Sequence, residues 1–171
     1  MTTVDENSTD AAYLERCIEL AEAALAAGDD PFGSVLVGAD GTVLGEDHNH
    51  ETTASDPTAH PELALARWAA RHLPPDQRAG ATVYTSGEHC PMCAAAHGWV
   101  GLGRIVFAAS SAQLAAWRAE WGLPPSPVTA FPITDVVPGI EVTGPVAPYD
   151  ERVRVLHERA ARNRAQTKLI P

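Results

Sequence analysis

Short apolar runs and segments of helical periodicity alternate along most of this chain, and that alternation restricts its fold more than any other feature. "SVLVGADGTVLGE" reads as a hairpin, two apolar runs around Gly38, Ala39, Asp40 and Gly41. "ATVYTS" and "RIVFAA" read as buried strands. Helices are expected from about Asp10 to Ala27, from near Pro61 to about His72, from Pro91 to about Trp99, and over 110–121 and 150–163. In the first of these, Tyr13, Cys17, Leu20 and Ala24 recur at helical spacing, with Asp10 as N-cap and Gly28 as stop. Cys17 is therefore core packing. "PPDQRAG" breaks the second helix. Strands alternating with helices imply a three-layer α/β/α domain, and the hairpin makes its central sheet mixed.

The 171 residues suffice for one domain with a real core. Residues 1–9, polar and acidic, are expected to form a disordered tail, and residues 10–171 a single domain. Residues 123–148 are Pro-rich and loop-like, with a short strand near Ile140 to Thr143, and begin a C-terminal arm. No apolar run approaches the ~20 residues of a membrane span. "MTTVDENSTD" has no signal-peptide character, so the expectation is a cytoplasmic protein with its three cysteines reduced. A formal net charge of −10 argues against nucleic acid as a partner, because phosphate contacts need clustered Lys and Arg. The basic residues of "ERVRVLHERAARNRAQTK" alternate in sign with acids, as on a solvated helix face.

"SGEHCPMC" sets Cys90 and Cys93 two residues apart after an apolar run. A lone CxxC also serves redox sites, and a structural zinc site wants four protein ligands. No second CxxC is present. The partner on offer is "TAHPEL", with His60 at the start of a helix and Glu62 two residues on. Cys90 at a strand-to-helix junction and Cys93 one turn later share a face, so both sulfurs can reach one ion. With His60 they make three ligands and leave a fourth zinc position open, the catalytic arrangement. Glu62 need not touch the metal and is placed to accept a proton.

HxE followed by CxxC is similar to the signature of zinc nucleobase deaminases. "DPFGSVLV", "HNHETTASDPTAH" and "YTSGEHCPMCAAA" followed by Trp99 resemble the guanine deaminase and tRNA adenosine deaminase branch of the cytidine-deaminase-like superfamily, over roughly residues 10–110. The resemblance implies the cytidine-deaminase-like fold, Zn2+ as cofactor on His60, Cys90 and Cys93, and Glu62 as the proton shuttle. It further implies that Asn49 bonds the polar edge of the base, that Phe32 walls the pocket, and that Trp99 stacks on the ring. Taken alone, Asn49 is as readily a turn former, and Phe32 and Trp99 as readily plain core. It also implies a homodimer in which the C-terminal segment completes a neighbour's site. Two positions depart from the family pattern. Pro61 stands for the usual Ala, which the first turn of a helix accepts. His89 stands for the usual Pro and is expected to be a tolerated loop residue with a hydrogen-bonded ring rather than a fourth ligand. His48 and His50 receive no role.

The expected reaction is hydrolytic deamination of a small-molecule heterocyclic base, with guanine favoured. Guanine deaminases are expected to bring a second acid from the region after "RIVFAA". The simplest register puts Trp121 there with Glu120 beside it. If Glu120 does not serve, the pocket suits a smaller ring, cytosine or an s-triazine such as ammeline. A tRNA adenosine deaminase shares the motifs but wants a basic groove. A non-catalytic zinc module would leave Glu62 idle.

Overall fold

A computed structural model of the chain describes residues 2–3 and 9–167, and the side chains of residues 9–165. In chain order the elements are β1 (Thr2–Thr3), α1 (Thr9–Ala27), β2 (Gly33–Val37), β3 (Val43–His48), α2 (Pro61–His72), α3 (Pro75–Gly80), β4 (Thr82–Gly87), α4 (Pro91–Val100), β5 (Ile105–Ala109), α5 (Ser111–Glu120), α6 (Ile133–Val136), β6 (Val142–Thr143), β7 (Val146–Ala147) and α7 (Tyr149–Thr167). A five-stranded mixed sheet runs β3-β2-β4-β5-β6. β2 is antiparallel to both β3 and β4, and β4, β5 and β6 are parallel.

Side chains of β2 alternate faces, as strand geometry requires. Val35 and Val37 join Tyr84, Val106 and Ala108 under α1, α7 and Trp117 of α5. Leu36 and Val83 join α2 on the opposite face, and Ile105 and Phe107 pack there against Ala94 of α4 and Ile133 of α6. The three layers are thus helix, sheet and helix. β2 and β5 are buried along their whole length, which is why both read as continuous apolar runs rather than alternating ones. The close packing of α1 on β2 depends on Gly33. A Cβ there would lie 2.5 Å from the Cys17 carbonyl oxygen and 2.7 Å from the Ala21 nitrogen. Cys17 itself is fully buried core.

Three stretches differ from the sequence expectation. "PPDQRAG" breaks α2 as read, but six of its residues then form the extra helix α3, started by Pro75 at a position where a missing N–H costs nothing. Residues 123–148 are not all loop. α6 forms within them, while the short strand expected near Ile140 to Thr143 is present as β6, paired with β5. Thr2 and Thr3, assigned to a disordered tail, pair with Val146 and Ala147. The rest of that tail, apart from Thr9 in α1, lies outside the described residues. Among the described residues no helix is long and apolar enough to cross a membrane.

Asp10 fastens the start of α1 to the sheet. Its carboxylate accepts from Tyr84 Oη at 2.6 Å and from Arg104 Nη2 at 2.8 Å, and Arg104 also reaches Thr143 Oγ1 at 3.1 Å. Burial pushes this carboxyl up, but the hydrogen bonds from Arg104 and Tyr84 outweigh it and hold the group below its ordinary 3.8. Asp10→Ala is expected to lower stability by about 1–2 kcal/mol in urea denaturation at neutral pH. Because the folded pKa is depressed, the contribution is complete above 3.8 and fades as pH falls below it, so the gap between wild type and variant narrows in acid.

Candidate active site

α2 and α4 start side by side at one end of the sheet. Each has proline at its first helical position, which fixes the φ that a helix start needs without losing a hydrogen bond. The residue before each proline is then pushed to extended backbone. His60 has φ −89° and ψ 138°, Cys90 φ −66° and ψ 164°, and neither side chain caps its own helix. Both are left free to point at each other. His60 Nδ1 lies 3.6 Å from Cys90 Sγ and 3.6 Å from Cys93 Sγ. The three donor atoms are the one cluster of His, Cys or acidic groups among the described residues that could hold a metal ion.

The donor set fits zinc. A tetrahedral ion about 2 Å from nitrogen and about 2.3 Å from sulfur holds the two about 3.6 Å apart, the spacing found here. Thiolate and imidazole are also the donors zinc prefers. The three groups polarise one another strongly. The Cys93 S–H and His60 hold the Cys90 thiol down at about 4 against its burial, and Cys90 and Glu51 raise His60 to about 10. The hydrogen bond to Cys90 and burial push Cys93 well up. A divalent cation between the three atoms would take the place of these shared protons.

Glu62, in the first turn of α2, is buried at 6% exposure. Thr85 Oγ1 lies 3.0 Å from its Oε1, and Ser34 Oγ lies 3.2 Å from the same oxygen and 2.9 Å from Thr85 Oγ1. Burial pushes the Glu62 carboxyl above its ordinary range, though His60 opposes this. A carboxyl so placed takes up and gives back a proton more readily near neutrality than one in water.

His60, Glu62 and Cys90 open onto a cavity of about 410 Å³. Phe32 lines it, backed by Gly87, where a Cβ would come within 2.9 Å of the Phe32 ring. Most of the remaining wall is apolar and comes from α5 and from residues 123–130. The sequence reading missed this wall, having taken the Pro-rich stretch for an arm. It also missed Ser34, Thr85, Glu51 and Glu88. Glu88 lines the cavity, but both its oxygens are engaged. They accept from the Ser111 amide at 2.8 Å and the Ile133 amide at 3.0 Å, tying the starts of α5 and α6 to the end of β4.

Several expected residues lie elsewhere. Trp99 is 91% exposed and off the cavity, because α4 packs through Cys93, Ala94 and His97. Position 99 falls ~200° around the helix from His97. Glu120 is exposed and bonded to Arg154 of α7 at 2.9 Å, so it does not turn inward. Asn49 is fully buried but does not line the cavity. Its Nδ2 donates to Glu51 Oε1 at 2.9 Å, and its Oδ1 accepts from the Glu51 amide at 3.0 Å. His89 is buried with no partner for either ring nitrogen among the described residues and packs edge-on against His97 at 5.3 Å, in contrast to the hydrogen-bonded ring expected. His89 is not in the metal-binding cluster. His48 and His50 stack on one another at the surface side of the loop, 4.2 Å apart.

A sequence model of the cytidine and deoxycytidylate deaminase zinc-binding region matches residues 7–109. The guanine deaminase of Bacillus subtilis is 38% identical over 104 residues, covering 60% of this chain and 66% of that protein. A tRNA-specific adenosine deaminase of Haemophilus influenzae is 37% identical, covering 59% and 58%. A probable cytosine deaminase of Schizosaccharomyces pombe is 30% identical over 150 residues, covering 85% and 89%. The chain thus spans less than two thirds of the first two relatives. The crystal structure of a Nitrosomonas europaea guanine deaminase shares the fold at a TM-score of 0.69 and 19% identity, covering 95% of this chain and 87% of that one.

Replacing Cys93 by Ala is expected to abolish stoichiometric zinc binding and to lower the melting temperature of the zinc-loaded protein, since binding and folding energies are coupled here. Metal analysis of the purified variant, beside a thermal melt, checks it. Full zinc occupancy would refute the ligand assignment.

Proposed function

The chain belongs to the cytidine and deoxycytidylate deaminase zinc-binding family, and from that premise we propose that it hydrolyses the exocyclic amino group of a free nucleobase or related amino-heterocycle, guanine first. The observation that carries this reading is Glu62. It is a buried carboxyl beside a three-donor metal cluster, lining an apolar cavity of base-accommodating size. A merely structural zinc site has no use for such a group.

When held by His60, Cys90 and Cys93, zinc would supply the acidification of a water molecule. Glu62 accepts one proton of the attacking water and delivers it to the ring nitrogen next to the amino-bearing carbon. It then carries the second proton to the amino group, which leaves as ammonia while the carbon keeps the oxygen as a carbonyl. The Thr85 and Ser34 hydroxyls hold Glu62 Oε1 in place through both transfers. Phe32 and the 123–130 segment exclude solvent from the ring.

The acidity of the chain, −10 overall, sets it against a tRNA substrate. A smaller ring, cytosine or ammeline, is the second reading. Among the described residues, the acidic side chains lining the cavity are Glu62 and Glu88, and Glu88 is spent on two backbone amides. A purine that needs a second acid would lack one here.

Ammonia release from guanine, cytosine and ammeline tests both readings. Turnover of cytosine or ammeline without guanine would select the smaller ring, and no turnover of any of the three would reject the proposal. Glu62→Gln is expected to retain zinc and lose at least ~10²-fold in kcat on whichever base is accepted, because Gln keeps the shape but carries no proton. Near-normal kcat in a zinc-replete variant would refute the role. Glu120→Gln is expected to leave kcat/KM within about twofold, as its carboxylate faces Arg154 on the surface. A large loss would return Glu120 to the site.

A further inference from the structure

The ring of His60 is gripped from both sides. Nδ1 faces the two sulfurs, and the opposite nitrogen, Nε2, lies 3.0 Å from Glu51 Oε1. Glu51 is itself fixed. Asn49 donates to the same Oε1 at 2.9 Å and accepts the Glu51 amide at 3.0 Å. The loop that carries Glu51 is closed on every side. Asn49 N donates to Phe32 O, and His50 N to Ala59 O, each at 3.0 Å. The buried Asp29 takes the Thr52 and Thr53 amides at 2.7 and 2.9 Å and the Thr53 hydroxyl at 2.8 Å.

We propose that Glu51 is a positioning residue for the metal centre: its carboxylate accepts the Nε2 proton of His60, fixes the tautomer that presents the Nδ1 lone pair to zinc, and is held in register by Asn49. A metal-bound imidazole whose second N–H is accepted by a carboxylate keeps one ring orientation and is a stronger donor, and losing such a partner typically costs 10–100-fold in metal affinity. The Asn49 side chain is thereby committed to the centre's support, in line with its absence from the cavity wall. Glu51 is half-buried, with Oε1 directed at both His60 Nε2 and Asn49 Nδ2. The inference rests on the zinc site and not on the choice of substrate.

The test is zinc affinity of the full chain, measured by competition with a chromophoric chelator. Glu51→Ala is expected to bind zinc 10–100-fold more weakly. Glu51→Gln, whose amide oxygen can still accept from Nε2, is expected to fall between wild type and Ala. Glu46→Ala, which removes only a surface partner of Arg16 on the adjacent strand, is expected to match wild type. The Co2+-loaded Glu51→Ala protein is expected to show shifted visible ligand-field bands, a change that loss of loop packing alone would not produce. Wild-type zinc affinity in Glu51→Ala overturns the proposal. So does a loss in which Gln is no better than Ala, because the acceptor then contributes nothing. Should Glu51→Ala fail to fold, the Gln variant and its Co2+ spectrum decide: unchanged affinity and spectrum overturn the proposal, and an intermediate affinity with shifted bands upholds it. A set of variants with the expected affinities but no ammonia release from any base would reject the proposed reaction and leave the role of Glu51 standing.

Discussion

Two helices begin at the same place, each with a proline at its first position, and each hands the residue before that proline to a shared centre. A side chain at such a position ordinarily turns back to cap its own helix. Histidine and cysteine are poor caps, and here neither does so. Both are free to converge across the gap between α2 and α4, where the partial positive charge of two helix starts favours thiolate. Cys93 joins from one turn further along α4, and Glu62 from the first turn of α2. The hydrophobic packing of Leu65, Ala66 and Ala69 of α2 under the sheet holds the spacing between the two starts. If that packing shifted, every distance in the site would change together.

The centre is legible in the sequence because its geometry is local. Within "CPMC" helix periodicity puts both sulfurs on one face, within "HPE" the two side chains are only two residues apart, and the meeting of the two segments has to be inferred. The supports of the centre are different. Glu51, Thr85, Ser34 and Glu88 act through partners 9 to 45 residues away. Nothing near them in the chain announces that. Trp99 and Glu120 show the opposite failure. Each sits at a plausible distance along the chain, but the phase of α4 turns Trp99 outward, and a cation on α7 draws Glu120 to the surface.

The buried imidazoles of His89 and His97 qualify the same point. Between them, three ring nitrogens lie without a partner among the described residues. Burial lowers the pKa of both rings. His97 Nε2 lies 2.8 Å from the Gly103 carbonyl oxygen, and His89, where the sequence departs from the family pattern, packs against it as bulk.

The wall of the cavity has a consequence for how this chain can change. His60, Glu62, Cys90 and Cys93 all lie within residues 7–109, the stretch shared with the family, whereas α5 and residues 123–130, which line the cavity, come after it. On the proposed function, the reacting groups thus lie in the earlier stretch and most of the cavity wall in the later one. The later stretch is tied to the earlier one by the Ser111 and Ile133 amides that Glu88 accepts and by Trp117 of α5, which packs with Val106 and Ala108. Insertions, deletions or wholesale exchange there can reshape what fits without disturbing the machinery that reacts. Such a chain can diverge in diet while keeping its chemistry.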